Sequence, residues 1–272
     1  MENNNTFVNY NAKLDALFVQ WKNSYDEDDK KRFCEDGLML KIDESLNVDA
    51  LWEKAPRRVM FLLKDCPDGW GWDTRELMNR YDKEGKITNL NNHFYHLLAK
   101  LFYGLLENKS DYRVNDRTVN ESEPKVKEAW NTIPFAFLET KKLAGGTDCN
   151  DKILKDALDR DKLFLKKEID ILAPNIIVCC DGEGIIFDFI TREYFGTPDW
   201  QYNSQYPFWD DKKQEEYFKP EVTMRCRSNY YKQKNVVVIE SYHPSAPVAD
   251  WAFQERVYCS FSAFLKQCDH SF

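Results

Sequence analysis

The residues best suited to chemistry sit where apolar runs end. Val236-Val237-Val238-Ile239-Glu240 leads through Ser241 into the turn Tyr242-His243-Pro244-Ser245, and His243 is one of only four histidines. A strand buried on both faces would deliver this imidazole to a sheet edge, with Pro244 restricting the backbone just after it. There it can donate a hydrogen bond to a carbonyl or a developing anion. The structural alternative is a cap on a nearby backbone group. A second run, Arg58-Val59-Met60-Phe61-Leu62-Leu63, ends in Lys64-Asp65-Cys66-Pro67-Asp68-Gly69. Asp65 and Asp68 suit orienting a water or stabilising a cationic transition state, or else closing an Asx-type turn around Pro67. A third run, Ile133 to Leu138, precedes Glu139-Thr140-Lys141-Lys142 and Ala144-Gly145-Gly146. Lys141 and Lys142 could meet a phosphate with help from backbone amides, or form a solvated charged loop. No Walker-type spacing decides between them.

Other clusters point away from cofactors. Asp181-Gly182-Glu183-Gly184 opens a helix, where its acids suit the dipole but repel phosphate, so it is no dinucleotide fingerprint. His93 and His96 stand three apart on an apolar helix without a third ligand, which favours structural roles over a metal site. The eight cysteines lack a C-x-x-C spacing. Cys179 and Cys180 point to opposite sides of a strand, so reduced core thiols are expected. Trp200, Tyr202, Tyr206, Phe208 and Trp209 either stack on bases or a sugar, or pack a long excursion onto the core. No Gly-x-Ser-x-Gly elbow is present, which disfavours serine-type hydrolysis.

Positioning these groups requires strands that alternate with helices. Helical periodicity covers 7–24, 45–54, 93–106, 151–172, 185–194 and 250–266, and strands are expected at 58–63, 133–138, 175–180 and 236–240. Residues 107–123 read as loop, and 195–233 as a turn-rich excursion with one strand near 221–226. The alternation predicts an α/β fold: three layers, α/β/α, around a central, mostly parallel four-stranded sheet. One domain over 1–272 is expected, with helices of 1–55 packed on a core of 56–272. Ligands of parallel sheets bind beyond the carboxyl ends of the strands. The loops beginning at Lys64, Glu139, Asp181 and Ser241 should therefore converge, and the 58–63 and 236–240 strands are expected to be neighbours.

Composition sets outer limits. The 272 residues are 43% hydrophobic and 15% aromatic, enough for a sizeable core, with a net charge of −8. Such a balance argues against broad, salt-sensitive phosphate binding, so any nucleic-acid contact must come from a local patch. No apolar run approaches a bilayer span, and the N-terminal residues lack a secretory pattern, so a cytoplasmic protein without membrane contact is expected.

The order of these signals resembles the uracil-DNA glycosylase superfamily. The similarity runs from about residue 56 to 266. It comprises the Leu63-Lys64-Asp65-Cys66-Pro67 strand-to-turn, the Phe137–Lys142 strand tip, Leu172-Ala173-Pro174-Asn175-Ile176-Ile177-Val178 with Gly182, and the closing His243-Pro244-Ser245. The resemblance implies a protein that flips uracil or another damaged base from DNA; a monomer without a cofactor or metal is expected. Asp65 or Asp68 would then support the oxocarbenium-like sugar, and His243 would stabilise the departing base anion. Pro67, Glu139, Thr140, Lys141, Pro244 and Ser245 would line the substrate site. Two departures stand out: Lys64 stands where the first turn usually begins with Gly and Asp68 where a small or aromatic residue usually follows Pro, and Glu139 or Thr140 stands near the place of a base-reading Asn. They leave open an inactive binder of nucleobases, nucleotides or DNA on the same scaffold.

Overall fold

The computed structural model describes residues 8–66, 71–76, 88–145, 149–206, 208–210, 215–217 and 224–268. Continuous apolar runs form the middle of the main sheet. They are β2 (Val59–Asp65), β3 (Ala136–Lys141), β4 (Ile176–Cys180) and β9 (Val236–Ser241), parallel and ordered β3-β2-β4-β9. Their side chains alternate between two cores, as a pleated strand requires. Phe61, Phe137, Val178 and Ile239 face one core, and Met60, Leu62, Leu138, Ile177 and Val238 face the other.

Helices cover both faces. Helices α4 (His93–Glu107), α6 (Glu123–Thr132) and α9 (Asp250–Cys268) cover the first core with Phe102, Trp130 and Phe261. The second is covered by α1 (Tyr10–Lys22), α3 (Val48–Lys54), α7 (Asp151–Leu172) and α8 (Ile185–Phe189), through residues such as Trp21, Trp52 and Leu158. Short helices α2 (Glu27–Lys30) and α5 (Asp116–Asn120) complete the α-helical set among the described residues, and a π-helical turn, Ile190–Phe195, continues α8. None of the described helices is long and apolar enough to cross a membrane.

The α/β class agrees with expectation, but the sheet is larger and more mixed than four parallel strands. It has seven, with β1 (Gly37–Leu38) antiparallel at one edge and β8 (Met224–Tyr231) and β5 (Trp200–Tyr206) antiparallel at the other. A hairpin of β6 (Phe208–Asp210) and β7 (Glu215–Tyr217) stands apart. Antiparallel edge strands can face water on one side, so they lack the continuous apolar run that betrays a central strand. The expected loop at 107–123 contains α5.

Two further expectations need correction. The 236–240 strand is not beside the 58–63 strand, because β4 lies between them. The strand expected at 133–138 is displaced to 136–141, because Ile133 is still the C-cap of α6 and Pro134 cannot donate to a ladder. The displacement carries Glu139, Thr140 and Lys141 out of the expected loop and into the sheet.

Candidate functional site

Register brings the tips of β2 and β3 together, with Asp65 opposite Lys141. Lys141 Nζ donates to Asp65 Oδ2 at 2.9 Å, and each side chain of the pair is only 10% exposed. The ammonium also donates to the Leu143 carbonyl. Gly145 closes over the pair and donates its N–H to the Cys66 carbonyl at 3.0 Å. The N-terminal segment holds this loop from outside. Cys34 N–H donates to Lys142 O and Ala144 N–H to Arg32 O, each at 2.7 Å. Thr140 is turned to structure, its hydroxyl donating to the Leu63 carbonyl at 2.7 Å.

At the tip of β9 the chain leaves the sheet through a tight turn. Pro244 is buried, Ser245 is exposed and His243 is partly buried. The Ser245 N–H donates to His243 Nδ1 at 3.2 Å. A ring nitrogen that accepts carries no proton, so the neutral ring bears its proton on Nε2. Burial, together with the positive charge of Lys64, pushes the His243 pKa down to about 4. The imidazole is therefore neutral at physiological pH, with Nε2–H available as a donor. Phe94, at the start of α4, meets the ring edge-to-face at 5.6 Å. Tyr95 packs beside Phe94 and reaches Phe137 of β3, so an aromatic wall links the tips of β9 and β3.

Between these tips lie polar atoms without full partners. Glu139 is buried, and its Oε2 has no hydrogen-bond partner among the described residues. Burial, followed by the charges of Cys66, Asp36 and Asp65, raises its pKa well above the carboxylate range. These surroundings favour the neutral form of Glu139, in which a carboxyl group can both donate and accept. The period of the strands puts Glu139 on the Phe137 face and Ser241 on the Ile239 face, the side covered by α4 and α9. Among the described residues Ser241 Oγ has no hydrogen-bond partner beyond a contact with the Cys180 thiol. Buried polar atoms left in this state fit a bound polar group or a water.

Other sequence candidates go elsewhere. Lys142 turns to the opposite face, into a buried cluster with Asp36 and Glu168. Asp181 caps α8 through the N–H groups of Gly184 and Ile186. His93 approaches Asp250 and His96 approaches Glu123, so the two do not share a ligand. Trp200 and Tyr202 stack on each other along β5, with Trp200 on Phe264 of α9. No group of residues suited to holding a metal occurs among the described residues. Pro67 and Asp68 lie outside the described residues.

Sequence reasoning overlooked Phe94 and Gly145 as parts of the site. Phe94 read as one more apolar residue of an amphipathic helix. Gly145 read as part of a loop whose amides could assist a phosphate, although a glycine next to a charged pair is also a signal for close approach. Comparison with known protein families finds no matching family model, and comparison with curated proteins finds no match.

Proposed function

We propose that the edge formed by the tips of β2, β3 and β9 is a nucleobase site, and that the protein acts on DNA as a base-flipping N-glycosidase. The observation that carries this reading is the state of His243: neutral, proton on Nε2, and backed by the Phe94 ring. Breaking an N-glycosidic bond leaves negative charge on the departing base and positive charge on the sugar. A neutral imidazole N–H aimed at a base carbonyl stabilises the first as it develops, without needing to reorganise. The Asp65 carboxylate would serve the second. Phe94 would give the flipped base a face to stack on. Glu139, as a neutral acid with an unpaired oxygen, would meet the base edge with one donor and one acceptor. The strand order β3-β2-β4-β9 weighs against the resemblance to the glycosylase superfamily, which calls for β2 and β9 side by side, so the reading rests on His243 and its surroundings.

A second reading, a binder that does not turn over, has one specific observation in its favour. The Asp65 carboxylate is occupied by Lys141 and covered by Gly145, which limits its freedom to orient a water.

The two readings separate in one assay. Oligonucleotides carrying uracil or hypoxanthine, single- and double-stranded, are incubated with stoichiometric protein and treated with alkali. Strand breaks that vanish in the His243→Gln variant are expected of the glycosidase. A ligand-dependent rise in melting temperature without breaks would favour the binder. Neither breaks nor a thermal shift with base, nucleotide or DNA would overturn both.

A further inference from the structure

Far from the Asp65–Lys141 pair, the second edge of the sheet carries a thiol pair that the nucleobase reading does not use. Cys226 of β8 and Cys259 of α9 pack as a small cluster of their own, 0% and 4% exposed, with Tyr202 and Tyr242 against them. The two sulfurs are in hydrogen-bond contact. Arg113 approaches from the solvent side, 38% exposed, and its Nη2 lies 3.0 Å from the Cys259 sulfur. The same guanidinium pairs with Glu255, whose Oε2 is 3.8 Å from that sulfur.

This arrangement differentiates the two thiols. The hydrogen bond from Cys226, against burial and with help from the Arg113 charge, holds the Cys259 pKa below the usual thiol range. The Cys226 thiol is pushed far upward by the same contact and by burial. A thiol beside a cation, in contact with a second thiol, combines an attacking sulfur with a resolving one. A second pair, Cys34 and Cys66, packs in the same way, and there too the shared hydrogen bond, then burial, push one thiol, Cys34, strongly upward; what marks out the first pair is the Arg113 guanidinium 3.0 Å from the Cys259 sulfur.

We propose that Cys259 is a hydroperoxide-reactive thiol, resolved by Cys226 into a disulfide that ties β8 to α9. In the first step the Cys259 sulfur attacks the peroxide. An S–O bond forms, the O–O bond breaks, and the leaving oxygen departs as water after taking up a proton. In the second, the Cys226 sulfur attacks the sulfenic acid. The S–S bond forms, the S–O bond breaks, and the sulfenic oxygen leaves as a second water carrying the Cys226 proton. Two thiols lose two electrons and hydrogen peroxide gains them. The new bond lies against Tyr242, the residue before His243.

The test is peroxide treatment of the native full-length protein at pH 7, followed by acid quench, alkylation and peptide mass mapping over time. The Cys226–Cys259 linkage should form about tenfold faster than any Cys34–Cys66 linkage. Arg113→Gln should slow it by a similar factor, and Arg113→Lys should restore most of the rate. In Cys226→Ser protein, dimedone should trap a sulfenic acid on Cys259. In Cys259→Ser protein, Cys226 should stay unlabelled. Absence of the linkage, formation no faster than that of Cys34–Cys66, or a dimedone adduct on Cys226 in Cys259→Ser protein would each overturn the proposal.

Discussion

Asp65 and Lys141, on adjacent parallel strands, form an ion pair whose two ends are both in contact with the bare backbone of Gly145. A Cβ at position 145 would stand 2.4 Å from Asp65 Oδ2 and 2.9 Å from Lys141 Nζ. The short, paired Asp65 side chain has little room to yield. Gly145→Ala should therefore destabilise the protein by about 1–3 kcal/mol, the usual range for overpacking. Lys141→Met leaves the largely buried carboxylate without its cation and should cost about 3–5 kcal/mol. Urea unfolding of both variants checks this; a Gly145→Ala midpoint equal to that of the parent would contradict the close packing.

His243 makes stability depend on pH in a definite direction. Its folded pKa of about 4 lies below the ordinary imidazole value of 6.5. Between these values the unfolded chain binds the proton and the folded protein does not, so stability rises with pH across that window. The contribution is complete above about 6.5 and is lost as the pH falls to about 4. Its size is on the order of 1–3 kcal/mol for a partly exposed ring. His243→Gln should flatten this segment of the stability curve, measured as the urea midpoint at pH 4, 5, 6 and 7. A wild-type imidazole titrating near 6.5 by NMR would count against the neutral ring on which the nucleobase reading depends.

The buried trio Lys142, Asp36 and Glu168 should respond unequally to substitution. Lys142 Nζ donates to both Asp36 oxygens at 2.6 Å and to Glu168 Oε1 at 2.9 Å, with all three side chains fully buried. One cation does not balance two anions in such a place. Burial and the Asp36 charge raise the Glu168 pKa well above the usual range, which favours its protonated form. Glu168→Gln, which replaces one neutral group by another, should cost less than about 1.5 kcal/mol. Lys142→Met should cost about 3–5 kcal/mol. Equal losses in thermal or urea unfolding would mean that Glu168 is ionised.

Glu240 is the opposite case. Burial works to raise its pKa, but Arg227, Arg256 and Arg225 overcome that and bring it down to about 2. The corresponding stability is present above the ordinary carboxylate pKa near 4.5 and fades as the pH falls toward 2. Glu240→Gln should cost about 3–5 kcal/mol at pH 7, and the deficit should shrink in acid. Gly184 guards the same cluster. It has φ +80°, and a Cβ would meet Arg227 Nη2 at 2.2 Å and Glu240 Oε1 at 2.4 Å. Gly184→Ala should destabilise by about 1–3 kcal/mol through strain in the left-handed region and crowding. A deficit for Glu240→Gln that stays constant from pH 7 to pH 3 would rule out a low pKa.

Local periodicity determined a good part of this protein. Runs such as Val59–Leu63 and Val236–Ile239 are apolar on both faces, which suits a strand between two helical layers and little else. The helix at Asp151–Leu172 and the breaker at Pro174 were equally legible, as was the placing of His243 just past a buried strand. What the tertiary structure alone decided is pairing. Nothing local in β2 states that β4 will stand between it and β9, since strand order is set by how helices cover the sheet. Nor does any local signal send Lys141 to Asp65 while its neighbour Lys142 goes to Asp36 and Glu168 on the other face. That divergence needed the strand to begin three residues later than its apolar run suggests. The unpaired oxygen of Glu139 and the aromatic backing of His243 by Phe94 likewise join residues far apart in sequence. Electrostatic state follows burial and neighbours, and those exist only once the chain has folded.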